Sequence, residues 1–347
     1  ERGEIEKMQN QHRKLKWFIM NYTTNRQYRM LSKLNSVAQY LIKSFSFDSW
    51  KERENLPPDY LSFHLIDNCN ANCVFCAKQY ISPTGRPMDM DIFKKGLEQY
   101  ISMGGKRIGF NPLVGEPLLD PYLFERINIV KSYRQIEELF LFTNGILLSK
   151  YAEKLVDSKI DKIVISLHGF NESMYRSIYR VNAYDKVIDG LEKLLIYNKR
   201  NNSQIDIVLS LKPYKPPFEV LSEPDFQSRV LPYLDEGKIE FVRALDRWGG
   251  LIEEQLLARL FLADQPPFKN RPCAWLFAPV ILRDGDIRIC ECRFGKEGEK
   301  DELIIGNINS KPLNEVWFSS VPKKVRRRFV KGDLPTVCKN CTMYIPS

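Results

Sequence analysis

Six short apolar segments rich in β-branched residues, at 61–66, 106–111, 137–142, 161–166, 205–211 and 238–243, recur along the chain with helix-length stretches between them. Strands that alternate with helices lie parallel and are joined by right-handed crossovers. Six such units predict an α/β fold, a partial (β/α)6 barrel over 58–248, with helices at 90–103, 120–132, 148–158, 183–200 and 223–235. Before it, 1–57 reads as a helical extension. There Met30, Leu31, Leu34, Val37, Ala38, Leu41, Ile42 and Phe45 lay an apolar stripe along a helix over 5–46. The prolines at 57 and 58 stop it. After the barrel, 249–347 loses the alternation and is expected to form a small separate α+β module. It is built on a hairpin of 277–282 and 286–290 around Asp284-Gly285.

Chemistry in parallel α/β folds gathers at the C-terminal ends of the strands. Just past the first strand stand Cys69, Cys73 and Cys76, in the run Cys-Asn-Ala-Asn-Cys-Val-Phe-Cys. Three thiolates so spaced can hold three corners of a cubane iron–sulfur cluster and leave the fourth iron open, unlike ferredoxin runs, which ligate every iron. A zinc knuckle is the alternative, although zinc sites usually pair C-x2-C elements. With Phe75 before its last cysteine, the run resembles the signature of the radical S-adenosylmethionine superfamily. That resemblance implies an open iron that chelates S-adenosylmethionine. It also implies an electron from the cluster that cleaves the sulfonium, and a 5′-deoxyadenosyl radical that removes a hydrogen atom from substrate. A donor such as flavodoxin or ferredoxin would supply the electron.

The composition is that of a globular protein, 44% hydrophobic and 27% charged, which excludes disordered and fibrous classes. No apolar run is long enough to span a bilayer, and the charged N-terminal stretch is unlike a signal peptide. The chain starts at Glu1, so its native start is expected upstream. Eight cysteines in two groups, with none between 77 and 272, read as ligands kept in a reducing cytoplasm. The formal charge of +9 suits an anionic substrate, cofactor or surface. Much of it lies in the basic stretch 323–331, which reads as a solvated helix face, with nucleic acid as the alternative.

The strand ends carry further candidates. Gly115-Glu116 resembles the family's Gly-Gly-Glu element, with Val114 in place of the first glycine, and Glu116 would accept from the methionyl ammonium. Thr143, Asn144 and Ser166 resemble cofactor-pocket positions, and Arg180 is a candidate partner for the carboxylate of S-adenosylmethionine. His168 is read as a structural histidine at least as readily as a functional one. Arg243 and Asp246 after the sixth strand could orient a polar substrate, or could form an ion pair packed on Trp248.

The C-terminal cysteines resemble the shortened SPASM module called the twitch domain. The resemblance implies one auxiliary four-iron cluster on Cys273, Cys290, Cys338 and Cys341, a zinc ribbon being the alternative. Cys292 would substitute for Cys290 or remain a free thiol that returns a hydrogen atom in an epimerisation; without such a donor, the auxiliary cluster would favour oxidation. Enzymes with this barrel and module act on amino sugars and related antibiotics or mature ribosomal peptides. Peptide maturases often carry a leader-recognition domain longer than the helical extension here. The expectation is therefore a small polar, carbohydrate-type substrate, with peptide maturation as the runner-up and nucleic-acid modification as a third class.

Overall fold

The β-branched segments pair in chain order into a parallel sheet. Its strands are β1 (Leu61–Phe63), β2 (Arg107–Phe110), β3 (Glu138–Thr143), β4 (Lys162–Leu167), β5 (Asp206–Leu211) and β6 (Ile239–Phe241). The computed structural model describes residues 27, 30 and 49–347, apart from 111–112, 202–204, 235–237, 254–256, 258–259, 292–297 and 299. The helix expected over 5–46 lies outside the described residues except for Gln27 and Met30, both helical. The described helices begin with α1 (Ser49–Arg53).

Helices α2 (Met90–Ser102), α3 (Leu123–Ser132), α4 (Leu148–Asp157) and α6 (Tyr184–Arg200) cover the outer face, and α5 (Glu172–Tyr179) lies past the end of β4, its last turn on the loop that follows β1. On the outer face Leu139, Leu141, Ile163, Ile165, Ile207 and Leu209 join the helices in one buried core. The period of two turns Ser62, Ser166 and Ser210 to the inner face. The expected helix over 223–235 is a short α7 (Pro217–Leu221) and a single wide turn at Phe226–Val230, because Pro216, Pro224 and Pro232 punctuate the stretch. Helix α5 was not expected. Asn171 caps it by accepting from the Met174 N–H at 3.1 Å, and Met174, Tyr175, Ile178 and Tyr179 form its buried stripe.

The C-terminal hairpin is β7 (Val280–Ile281) with β8 (Asp286–Arg288), joined by an antiparallel β9 (Ile304–Asn307). These strands do not form a sheet of their own. β7 pairs in parallel with β1, so nine strands run in the order β6-β5-β4-β3-β2-β1-β7-β8-β9, open at both ends and not a closed barrel. Helices α8 (Leu313–Trp317), α9 (Ser320–Val330) and α10 (Thr336–Lys339) follow. The basic stretch falls largely on α9, and part of it is turned inward. Arg326 is fully buried between Phe277 and Trp317, 4.3 and 4.6 Å from their ring centres, and Arg328 pairs with Glu302 at 2.8 Å. No helix among the described residues is long and apolar enough to cross a membrane.

Candidate functional site

β1 ends at Phe63, earlier than its apolar run, and the chain beyond it becomes a loop that carries Cys69, Cys73 and Cys76 at the C-terminal rim of the sheet. Asp67 anchors the start of this loop. It accepts from the Thr84 and Gly85 N–H groups at 2.9 and 2.8 Å and from Arg283 of the hairpin turn at 2.7 Å. The end of α5 holds its middle, where Asn72 and Val74 donate their N–H groups to the Tyr179 and Ile178 carbonyls. Lys78 closes it, donating from Nζ to the Cys69 carbonyl at 2.7 Å and the Ala71 carbonyl at 3.3 Å.

The glutamate loop lies directly on the cysteine loop. Gly115 adopts φ +111°, and a Cβ there would stand 2.2 Å from the Ile66 carbonyl oxygen, so only glycine lets the two loops meet. The next N–H, of Glu116, donates to the Asn68 carbonyl at 2.8 Å. The buried Glu116 carboxylate accepts from Thr143 Oγ1 (2.7 Å), the Leu118 N–H (3.0 Å) and the Asn144 N–H (2.8 Å). Burial outweighs those bonds and pushes its pKa up to about 7. A carboxylate has four lone-pair sites, and these three bonds leave one on Oε2. Asn144 in turn donates from Nδ2 to Cys69 Sγ at 3.4 Å and to Asn70 at 2.8 Å. Gly115, Glu116, Thr143 and Asn144, each named from the sequence, are thus gathered against Cys69.

Burial pushes all three thiols up, Cys76 to about 11, and the neighbouring Cys76 and Cys69 add to the rise at Cys73. Thiols so crowded favour a cation that takes the place of their protons, which suits a cluster held by three cysteines. Phe75 meets His168 edge-on at 4.9 Å, and His168 meets Tyr179 at 4.8 Å. His168 is fully buried with Nδ1 on the Lys212 carbonyl at 2.7 Å, and burial holds its pKa down at about 3, so it is neutral. Ser166 accepts from Lys212 Nζ at 2.9 Å. Arg180 is exposed and caps α5 in the left-handed region at φ 54°.

Three residues of this rim were not singled out from the sequence: Lys78, Lys212 and Tyr175. Burial lowers Lys212 to about 8, opposed by the Cys73 charge. Tyr175 stacks on Tyr179, its hydroxyl is buried without a hydrogen-bond partner among the described residues, and burial and then Cys73 and Cys69 push it up. Helical spacing around 174–179 would have placed Tyr175 inward. A lone lysine has no such pattern.

The second cysteine group lies at the opposite rim. β7 runs with β1 and β8 against it, so Cys290, just past β8, returns to the N-terminal end of β1. Its neighbour Glu291 shows this directly, accepting from Tyr60 and Ser62. Cys273, Cys290, Cys338 and Cys341 line one cavity with Leu276, Leu303, Phe329 and Val337. Burial pushes Cys273 up to about 12, and burial, then Cys290, Cys341 and Cys273, raise Cys338. Four mutually interacting thiols around an apolar cavity fit a four-iron cluster. Asp246 belongs to this end, accepting from Thr342 Oγ1 at 2.8 Å and from the Trp248 N–H at 2.5 Å, and Arg243 is buried. Cys292 lies outside the described residues.

The chain matches the family model of the radical SAM superfamily over residues 63–211 and that of an iron–sulfur cluster-binding domain, SPASM, over 273–342. It is 30% identical over 136 residues to GTP 3′,8-cyclase of Lactiplantibacillus plantarum, 38% of this chain and 40% of that one. The chain thus spans less than half the length of that curated relative. Among solved structures, BtrN in complex with AdoMet and 2-DOIA matches with a TM-score of 0.50 at 18% identity, over 82% of this chain and 92% of that one. Streptococcus suis SuiB bound to S-adenosylmethionine matches with a TM-score of 0.53 at 18% identity, over 94% of this chain and 78% of that one.

Proposed function

We propose that the chain, which carries a radical SAM domain over 63–211 and a SPASM iron–sulfur domain over 273–342, abstracts a hydrogen atom from a small polar, carbohydrate-type substrate and oxidises or epimerises it. The observation that carries this reading is the placement of two cysteine sites at opposite rims of one sheet. The inner face between them presents Ser62, Ser166, Ser210 and Lys212. These hydroxyls and the ammonium stand among Phe140, Val164 and Val208 of the same face, and suit a substrate that carries hydroxyl or amino groups beside apolar surface.

The chemistry supplied by the bound cluster and S-adenosylmethionine is one-electron cleavage of the sulfonium and removal of a hydrogen atom from substrate. In this reading Cys69, Cys73 and Cys76 hold three irons, and Asn144 fixes the Cys69 sulfur by its hydrogen bond. Glu116 offers its remaining Oε2 site to the methionyl ammonium, held in place by Thr143 and Asn144. Phe75, wedged on His168, walls the pocket, and Ser166 and Arg180 are assigned to the ribose and carboxylate. Cys273, Cys290, Cys338 and Cys341 hold the auxiliary cluster. Arg243 and Asp246 are assigned to orienting substrate, with Asp246 acting from its anchorage on Thr342. Cys292 decides the subtype: a thiol that returns hydrogen gives epimerisation, and Cys292→Ala abolishes turnover only in that case.

A ribosomally made peptide is the second reading, favoured by the likeness, with a TM-score of 0.50 over 93% of the chain, to Streptococcus suis SuiB bound to precursor peptide SuiA. The test is 5′-deoxyadenosine formed by the anaerobically reconstituted, reduced enzyme with S-adenosylmethionine and either small-molecule or peptide fractions. Stimulation by the small-molecule fraction is expected. Stimulation by peptides alone would install the second reading, and failure to cleave S-adenosylmethionine with either would end both.

A further inference from the structure

Two cations are built into the surroundings of the four-cysteine cavity, and neither takes part in holding S-adenosylmethionine. Lys269 spends all three ammonium hydrogens on the loop of the closing cysteine pair, donating to the Cys338, Lys339 and Cys341 carbonyls at 2.9, 2.9 and 2.7 Å. Arg288 is fully buried, with Nε on Asp301 at 2.5 Å and Nη1 on the Cys290 carbonyl. Its Nη2 is buried without a hydrogen-bond partner among the described residues. The guanidinium charge reaches the Cys338 thiol and acts to lower its pKa against the effect of burial and the other cysteines. One cation therefore stands behind Cys338 and Cys341, the other behind Cys290.

We propose that Lys269 and Arg288 form a cationic collar that offsets the charge of the auxiliary cluster and raises its reduction potential, with Nη2 of Arg288 donating to a sulfur of the loaded site. The proposal rests on the assignment of the four cysteines to that cluster. Four thiolates around a dipositive cubane core leave two negative charges in excess, and the lining of Leu276, Leu303, Phe329 and Val337 does nothing to solvate them. Lys269 offsets part of that excess, and Arg288, ion-paired with Asp301 through Nε, turns its Nη1 and Nη2 side toward the cysteines. Reduction adds a further negative charge, which the same cations favour, and cluster potentials follow net charge and hydrogen bonds to sulfur. The buried Nη2 donor, expensive to leave unsatisfied, then has an acceptor. A cluster so biased accepts an electron from a deprotonated substrate radical more readily, which inclines the site toward oxidation.

The experiment uses the full chain with Cys69, Cys73 and Cys76 replaced by alanine, reconstituted anaerobically so that only the auxiliary cluster remains. Its midpoint potential is read by redox titration followed by electron paramagnetic resonance. About four irons per chain confirms the cluster, and no bound iron would overturn the ligand assignment and the collar with it. Lys269→Met and Arg288→Met are expected to move the midpoint to lower potential, and Lys269→Arg to leave it near the parent value. A midpoint unchanged in both methionine variants at full iron content would sink the collar. If the methionine variants fail to hold iron, chain labelled with 15N-arginine decides the contact. A nitrogen hyperfine coupling to the reduced cluster that disappears in Arg288→Lys supports it, and no coupling overturns it.

Discussion

At the scale of single residues, the chemistry that was legible in the sequence is the chemistry that needs a spacing. Seven of the eight cysteines fall in the described residues and gather as two groups, as their clustering implied. Glu116, Thr143 and Asn144 converge on Cys69 because each ends or follows a strand of one parallel sheet. The lysines that clamp the two cysteine loops, Lys78 and Lys269, were not legible, because a lysine that donates to carbonyls distant in sequence leaves no periodic trace. Glu116 gives a pH prediction. Burial first, against its hydrogen bonds, sets its carboxyl near 7, so it is mostly neutral below that value and ionised above it. An ammonium partner favours the ionised form. The affinity of the reconstituted enzyme for S-adenosylmethionine is therefore expected to rise as pH increases through about 7, and Glu116→Gln to weaken binding and flatten that rise. Calorimetric titration on either side of neutrality checks this; an equally steep rise in Glu116→Gln would assign it to another group.

At the scale of elements, the six parallel strands and the C-terminal hairpin were read from β-branched runs and a turn signal, and the longer barrel helices from their stripes, while β9, the strand ends and the short helices were set by contacts that no local pattern carries. The missed α5 is an eight-residue helix fixed by its Asn171 cap and by the cysteine loop hydrogen-bonded to its last turn. Helices α4 and α6 show how a single position sets a packing distance. A Cβ on Gly190 would stand 2.4 Å from the Ser149 backbone nitrogen and 2.8 Å from Leu148 Cβ, and neither can retreat without moving α4. Gly190→Ala is expected to destabilise the protein by about 1–3 kcal/mol, despite alanine's better helix propensity. Urea unfolding measures it, and a variant as stable as the parent would show that the helices separate freely. In the C-terminal region, Glu302 accepts from the Thr336 N–H at 2.6 Å and from Arg328 at 2.8 Å. The Thr336 bond, against burial and with Arg328, holds its pKa at about 2. A carboxyl held below its unfolded value stabilises the fold above the ordinary glutamate value of 4.5, and that contribution fades as pH falls from there toward about 2. Glu302→Gln should therefore lose less stability than the parent over this acid range. Thermal melts across it check the sign.

At the scale of the whole molecule, the C-terminal region read from the sequence as a separate module shares the sheet of the barrel. A two-residue strand carries no signal of its pairing partner, and β7 finds β1 only through long-range contacts. Asp59, Ser62 and His64 donate their N–H groups to Phe277, Pro279 and Ile281, at 2.9, 3.0 and 2.9 Å. Trp317 of α8 donates to the Leu56 carbonyl at 2.9 Å, and the Leu313 N–H donates to Gln99 of α2 at 2.7 Å. Ile281 also presses on the barrel, since a Cβ on Gly96 would lie 2.6 Å from its Cδ1. Removal of 249–347 would therefore leave β1 as a bare edge, with unpaired backbone groups and the apolar faces of Phe63 and Phe93 uncovered. A chain ending at 248 is expected to aggregate or to lack a cooperative melt, whereas the full apo chain should unfold in one transition seen alike by far-ultraviolet and aromatic signals. A soluble, monomeric fragment with its own sharp transition would show that the barrel holds its first strand unaided. The rim-to-rim arrangement of the cysteine sites would then depend on docking of two units, where a shared sheet makes that arrangement a property of one folded body.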